Sequence, residues 1–324
     1  MRWVVVGASG FVGSAVCGHL VALGQEVVAV SAPRLRADPA AGVEELVQVA
    51  EMMPADRLRD QVAGAQVVVL AAGLATPDAP SSAELVGANA LLPLVLARAC
   101  EVAGVPRLVH LSSAAVQGRR AVLDESPETA PFSPYSRSKA LAEEALRRRD
   151  VDRTEVVVIR ATSVQGVGRP RTASLQRLAG GRLASVAGQG DDPSPLSSVA
   201  GLAHFVSQVG AWPGQLPPVV LQPWAGMTTA DVLRLAGGRE PRHLPRKLCR
   251  GLLAVGWLLS RAGGGRLEGP LRRVEAMWFG QGVDPAWARV AGVQVRDDLA
   301  EVLARQQEVV RAGHSGLPGR TGSR

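Results

Sequence analysis

The feature that most restricts what this 324-residue chain can fold into is a rhythm. In its first half, short β-branched runs at 3–6, 26–30, 46–50, 66–71, 107–111 and 155–160 alternate with longer Ala- and Leu-rich segments at about 12–23, 55–63, 83–103 and 134–149, whose apolar residues recur at helical spacing. The strand-like runs are apolar at nearly every position instead of every second one. Strands of that kind are buried on both faces, and strands separated by helices lie parallel because each connection must cross back over the sheet. Open parallel sheets bind their ligands at the carboxyl ends of the strands, so the residues directly after each run carry the functional argument.

Beyond residue 165 the rhythm weakens. Segment 166–215 is rich in Gly, Pro and Ser, and a strand is expected at 218–222. Thr228 and Asp231 have the spacing of a helix cap, and helical patterns follow at about 245–261, 268–278 and 296–310. No internal repeat is visible. The expected architecture is α/β: a Rossmann-type doubly wound parallel sheet over 1–166, to which the strand near 218–222 returns, and a smaller, mainly helical C-terminal substrate domain over 167–311. The last residues, 312–324, read as a disordered tail.

Composition narrows the function classes. The chain is 47% hydrophobic, which suffices for a sizeable core. A formal charge of +7 favours anionic ligands, but aromatics make up only 3% and no basic block is interleaved with them, so a nucleic-acid stacking platform is not expected. Cys17, Cys100 and Cys249 are isolated in apolar stretches, and His110 and His243 lack ligand spacing, so neither a disulfide framework nor a metal site is expected. The N-terminus opens directly on a strand without an export signal, and a cytoplasmic location is expected.

The first turn is VVVGASGFVGSAV, with Gly7, Gly10 and Gly13 after a strand and at the start of a helix. Glycines so placed allow a tight turn, close approach of backbone to a pyrophosphate and close helix–strand packing, while the helix N-terminus offers N–H groups to the phosphates. Gly7, Ser9, Gly10, Phe11, Val12 and Gly13 are the candidate dinucleotide cradle. The second strand ends in Ser31, followed by Arg34 and Arg36, where an NAD-binding chain usually carries a carboxylate. Ser31 does not repel a 2′-phosphate and an arginine can pair with one, so NADP is favoured over NAD. A third strand at 46–50 would place Glu51 and Met52 against the adenine, and the small residues Ala71, Ala72 and Gly73 after the fourth would let a flat cofactor lie on the backbone.

The reactive groups stand out by rarity. The chain has a single tyrosine, Tyr135, and only the lysines Lys139 and Lys247 among 36 basic residues, yet SPYSRSKA places one lysine four residues after the tyrosine. Positions i and i+4 share a helix face. An ammonium beside a phenol stabilises the phenolate and brings its pKa down from about 10, which makes tyrosine a usable acid or base. A further hydroxyl, Ser113, ends the strand in RLVHLSSAAVQG.

GASGFVG, the AAG after the fourth strand run, Asn89, HLSSAAVQG, YSRSK and VVVIRATSVQG occur in an order and spacing that resemble the extended short-chain dehydrogenase/reductase family, the NAD(P)-dependent nucleotide-sugar epimerase, dehydratase and reductase group. The likeness is strong over roughly 1–166. It implies Ser113, Tyr135 and Lys139 as catalytic residues, Lys139 also on the nicotinamide ribose, Asn89 supporting the site, and Ala161 to Val164 beside the nicotinamide. It also implies a homodimer through the helices near 83–103 and 134–149. Two departures matter. The family's V-Y-G segments are V-Q-G here, with Gln117 and Gln165, and the acid–base pair that sugar dehydratases carry after the catalytic hydroxyl is replaced by Ala114 and Ala115. Dehydration is therefore disfavoured.

The resulting expectation is an NAD(P)-dependent oxidoreductase or epimerase acting on a nucleotide sugar. The alternatives are an NADPH-dependent reductase of a non-sugar ketone and a dinucleotide-binding protein without turnover. Arg169, Arg171, Arg177 and Arg182 are candidates for a substrate diphosphate. The stretch 242–261, a basic cluster running into an apolar helix, has two readings: a helix packed on its neighbours, or a peripheral membrane contact.

Overall fold

A computed structural model describes residues 1–75, 80–149, 153–264 and 267–315, with side chains as far as 310. The described chain divides into two compact units. The first comprises Met1–Thr162, Val199–Pro223 and Val283–Arg296; the second comprises Ser163–Ser198, Trp224–Gly282 and the chain from Asp297 onward.

The first unit is built on a six-stranded sheet. Its strands are β1 (Arg2–Val6), β2 (Glu26–Val30), β3 (Val67–Leu70), β4 (Arg107–Ser113), β5 (Glu155–Ala161) and β6 (Val219–Leu221). The order is β6-β5-β4-β3-β1-β2, and every neighbouring pair is parallel. All four residues of β3 are buried, as the unbroken apolar runs require of a doubly covered sheet. The strand expected near 218–222 is β6, registered against β5.

Helices α1 (Phe11–Ala22), α2 (Val43–Met52), α3 (Asp56–Val62), α4 (Ala83–Ala103) and α5 (Pro134–Arg148) connect the strands. Leu46, Leu58, Leu91, Leu94 and Ala142 from α2 to α5 form one core with Val4, Val68, Leu108 and Val158 of the sheet. Helix α1 packs instead with Val199–Gly210.

The expected strand at 46–50 does not exist. Those residues lie in α2, where Val43, Leu46 and Ala50 are buried at helical intervals and Glu44 and Glu45 occupy the first turn. The apolar residues of VEELVQVAEM recur at i, i+3 and i+7, a helical period that outweighs the β propensity of its three valines. Helix α2 packs on both α4 and α5. Arg148 pairs with Glu44, and Arg149 pairs with Glu51 at 2.9 Å. Residues Leu91 to Ala97 of α4 are consequently buried within the protomer, and Val102 is its one strongly exposed large apolar side chain. Helix α3 packs on α4 as well.

The second unit is mainly helical: Pro170–Gly180, Thr229–Gly237, Arg246–Ala262, Glu268–Phe279 and Leu299–Ser315, with short parallel pairs Ser163–Gln165/Leu196–Ser198 and Ser185–Ala187/Arg242–Leu244. The cap at Thr228 forms, its Oγ1 accepting from the Asp231 N–H at 3.2 Å while Asp231 Oδ2 accepts from the Thr228 N–H at 3.1 Å. Val186, Leu233, Ala236, Leu299 and Leu303 make one core, and Ala187, Cys249, Leu253 and Trp278 a second. Of the tail expected at 312–324, residues 312–315 continue the last helix and the rest lie outside the described residues.

Candidate active site

The glycine turn joins β1 to α1. Gly7 has φ +90°, a conformation side-chain-bearing residues rarely adopt, and a Cβ there would stand 2.6 Å from the Ala72 nitrogen. A Cβ on Gly13 would stand 2.1 Å from the Gly7 carbonyl oxygen. The turn, α1 and the end of β3 therefore close on one another only because these side chains are missing. Gly10 is the N-cap of α1, and no side chain caps that end. The positive end of the helix dipole thus faces this turn without a capping side chain. Ser9, Gly10 and Phe11 are exposed, Val12 is half-buried and Gly13 is buried. These features fit a dinucleotide pyrophosphate.

Ser31 directly follows β2 and is exposed. Arg36 is paired with Glu84 at 2.5 Å. Arg34 is exposed and has no carboxylate partner among the described residues. Glu51 and Met52 sit at the end of α2, not after a strand; Glu51 accepts from Arg149, and Met52 is 77% exposed. The strand end that would have aimed them at an adenine is absent.

Helix α5 starts where the sequence dictates. Ser133 and Ser136 form a reciprocal capping box and Pro134 occupies the first turn, where its missing N–H does no harm. Tyr135 is held half-buried in that turn, and Lys139 follows one turn later, 4% exposed. The Lys139 Nζ donates to the Leu111 carbonyl at 2.8 Å, two residues before Ser113, the last residue of β4. Ser113 is half-buried, and its Oγ accepts from the Ala115 N–H at 3.2 Å.

Gly73 completes the arrangement from β3. A Cβ there would lie 2.8 Å from Asn89 Oδ1 and 3.3 Å from Lys139 Nζ. Asn89 sits in a π-helical turn, Gly87–Leu91, inside α4, a local widening common at functional sites. Its side chain accepts from the Leu74 N–H at 2.9 Å and donates to the Leu74 carbonyl and to Ser138 Oγ, both at 3.0 Å. It thereby fixes the loop after β3 to α5. The fold gathers Gly7, Ala72, Gly73, Asn89 and Lys139 at the carboxyl ends of the central strands, with Ser113 at the end of β4 and Ala161 at the end of the neighbouring β5.

Burial pulls the Lys139 ammonium down from 10.5 to about 8, against the Glu143 carboxylate, which holds it up. Glu143 belongs to a network the sequence reading overlooked. It accepts from Ser112 Oγ at 2.5 Å and from Arg160 at 2.8 Å. Arg160, wholly buried, also donates to the Asp124 and Ser126 carbonyls at 3.1 and 2.7 Å. Two signals were available: a carboxylate four residues after Lys139, and an arginine inside the otherwise aliphatic run VVVIRA. His110, which lacks ligand spacing in the sequence, lies on β4 beside this network. It is wholly buried, and neither ring nitrogen has a hydrogen-bond partner among the described residues. Burial first, and the Lys139 charge second, push its imidazole well below its ordinary value, so it is neutral.

Val164 lies in the second unit, buried in the strand Ser163–Gln165. Arg169 donates to the Val164 carbonyl, so its guanidinium serves its own backbone, whereas Arg171, Arg177 and Arg182 are exposed. Gln117 and Gln165 are buried and internally bonded, Gln117 to Asp124 at 2.6 Å and Gln165 to Thr172 at 3.0 Å.

Comparison with known proteins bears on the fold and the family. A curated relative, 2-alkyl-3-oxoalkanoate reductase of Stenotrophomonas maltophilia (strain K279a), is 27% identical over 231 residues, 66% of this chain and 67% of the relative. Among solved structures, MoeE5 in complex with UDP-glucuronic acid and NAD superimposes with a TM-score of 0.64 at 22% identity, covering 97% of this chain and 100% of that one. UDP-glucuronic acid 4-epimerase from Bacillus cereus in complex with NAD gives a TM-score of 0.65 at 15% identity, covering 98% and 99%. These structural likenesses establish the fold. The model of the NAD dependent epimerase/dehydratase family matches residues 3–195, and the chain belongs to that family.

Proposed function

We propose that the chain is a nicotinamide-dependent oxidoreductase that interconverts a ketone and a secondary alcohol, with Tyr135 moving the proton. One observation carries the reading: a buried lysine, tied to the end of β4 and touching the loop after β3, one helical turn from the chain's only tyrosine. The nicotinamide, when bound, supplies or accepts the hydride at the substrate carbon. Ser113 Oγ hydrogen-bonds the substrate oxygen. In the reducing direction Tyr135 gives that oxygen its phenolic proton, and the Lys139 ammonium stabilises the phenolate left behind. In the oxidising direction the phenolate takes the proton back. The glycine turn holds the pyrophosphate, Asn89 fixes the loop that carries Gly73, and Ser31 with Arg34 favours a 2′-phosphate, hence NADP.

The substrate we favour is a non-sugar ketone of the 3-oxo acid type. The relative detected by sequence is a reductase of that kind, and both glutamines of the V-Q-G segments are engaged inside the protein. The nucleotide-sugar reading stays as the second, supported by the solved neighbour in complex with UDP-glucuronic acid and by the exposed Arg171, Arg177 and Arg182. Ala114 and Ala115 supply neither acid nor base, so elimination of water is not proposed.

The test follows nucleotide oxidation with NADPH and NADH against 2-alkyl-3-oxo acids and against UDP- and TDP-sugars. Turnover of the oxo acids supports the first substrate and turnover of the sugars the second. Tyr135→Phe should lower kcat by about 10²- to 10⁴-fold with nucleotide binding and melting temperature retained. Unchanged turnover in that variant would remove Tyr135 from the chemistry, and nucleotide binding without turnover of any of these substrates by the parent would favour a dinucleotide-binding protein.

A further inference from the structure

The helix Arg246–Ala262 in the second unit carries an apolar surface that the protein does not use. One face is packed: Cys249, Leu253 and Trp257 cluster with Leu271, Val274 and Trp278. Gly256 lets the next helix approach so closely that a Cβ would stand 2.5 Å from Leu271 Cδ2. On the outer side, Leu248, Leu252, Val255, Leu258 and Leu259 are 49%, 52%, 56%, 65% and 61% exposed. Leu248, Leu252, Val255 and Leu259 follow one another at intervals of 4, 3 and 4, so at 3.6 residues per turn they fall within about 60° of arc. Scattered exposed leucines need no explanation, but a continuous stripe on one helix does.

Charge decides the occupant. At the same periodicity Arg246, Lys247, Arg250 and Arg261 fall in a second arc of about 100°, which overlaps the packed face at Trp257 and ends beside Leu258. Arg246 is tethered to Asp192 at 2.6 Å, and both Arg246 and Arg250 lie over the Phe279 ring, at 5.2 and 5.9 Å. Lys247, Arg250 and Arg261 have no carboxylate partner among the described residues. No Asp or Glu occurs from 242 to 264. Pairing with a second copy about a two-fold axis would set this acid-free surface against itself and leave its cations uncompensated. An acidic lipid surface compensates them and takes up the leucines at once.

We propose that Arg246–Ala262 docks in the plane of an anionic lipid bilayer, with Leu248, Leu252, Val255, Leu258 and Leu259 entering the acyl boundary and Lys247, Arg250 and Arg261 contacting headgroup phosphates. The inference does not depend on the chemistry of Tyr135, since none of these residues belongs to the candidate active site.

Flotation of the full-length protein with vesicles tests it. With phosphatidylcholine vesicles containing about one-third phosphatidylglycerol, the protein should float at low salt. The floated fraction should fall several-fold with pure phosphatidylcholine or on raising the salt. Leu252→Asp combined with Leu259→Asp should lower binding at least tenfold. Arg250→Glu combined with Arg261→Glu should remove the dependence on anionic lipid. Each variant is compared with the parent by melting temperature and nucleotide binding. Protein that stays unbound at every lipid composition overturns the proposal. So does light scattering that shows a dimer lost in the leucine variant while vesicles bind neither form, an outcome that assigns the stripe to a second copy. Should the leucine variant fail to fold, the arginine variant alone decides, because lipid binding that ignores those charges contradicts the proposed contact.

Discussion

The first unit holds Lys139, Glu143 and Arg160 at 4% exposure or less, while the second leaves five large apolar side chains of one helix between 49% and 65% exposed. One unit hides what water would solvate, and the other displays what water would expel. Both run against the usual distribution, and each is informative for that reason. Buried charges endure only when paired and hydrogen-bonded. Here the pairing spans α5, β4 and β5, so it locks the helix bearing Tyr135 and Lys139 to the strand bearing Ser113. The exposed leucines have no such internal partners. The contrast separates a region whose polar groups are positioned by the fold from one whose apolar groups await something outside it.

The largest effect should come from breaking the buried pair. Glu143→Gln removes the carboxylate that faces Arg160 at 2.8 Å and Ser112 at 2.5 Å. An uncompensated guanidinium would remain at 0% exposure, and losing one partner of a buried pair costs about 3–5 kcal/mol. Denaturant unfolding, read by the shift in midpoint, checks the number. A loss below about 1 kcal/mol would mean that the network behaves like a surface pair, and the contrast between the two units would weaken.

How much of this was visible in the sequence follows the same contrast. The sheet, the glycine turn and the order of Ser113, Tyr135 and Lys139 were legible because each depends on local chemistry: unbroken apolar runs, glycines that no Cβ could replace, and a rare tyrosine–lysine spacing. Residues 46–50 misled because Val47 and Val49 beside Leu46 suggest a strand, whereas burial at 43, 46 and 50 makes a helix. The error carried Glu51 and Met52 with it. Glu143, Arg160 and His110 were not legible as a group because 17 residues separate Glu143 from Arg160 and only the parallel register of β4 and β5 brings their surroundings together. In the second unit the cap at Thr228 was legible and the exposed face of Arg246–Ala262 was not, since an amphipathic pattern does not say which side a neighbouring helix will cover.

A smaller effect concerns the same lysine and has opposite signs in two measurements. Lys139 falls from 10.5 to about 8 on folding, so between those values the unfolded chain binds a proton that the folded chain gives up. Stability therefore rises with pH across that window and falls as pH drops towards 8. Activity should move the other way. Once Lys139 loses its charge it no longer stabilises a phenolate, so kcat/KM should decline with an apparent pKa near 8 in the free enzyme. A rate flat from pH 7 to about 10 would separate Lys139 from the chemistry while leaving the stability trend intact.

The smallest expected effect is the most telling for the second unit. Leu259 is 61% exposed and Leu253, on the same helix, 5%. Leu259→Gln should change unfolding free energy by less than about 0.5 kcal/mol, the usual size for a surface substitution away from special features. Leu253→Ala, which empties part of the cluster with Cys249 and Trp278, should cost about 2–5 kcal/mol. If Leu259→Gln instead destabilised the protein to a similar extent, the side chain would be contributing to the protein's own packing in solution, through a self-associated form or a rearranged helix. The stripe would then be ordinary core. Near-silence at Leu259 beside a large loss at Leu253 means that the outer leucines contribute nothing to holding the unit together, which is the condition under which an external apolar partner can engage them without unfolding cost.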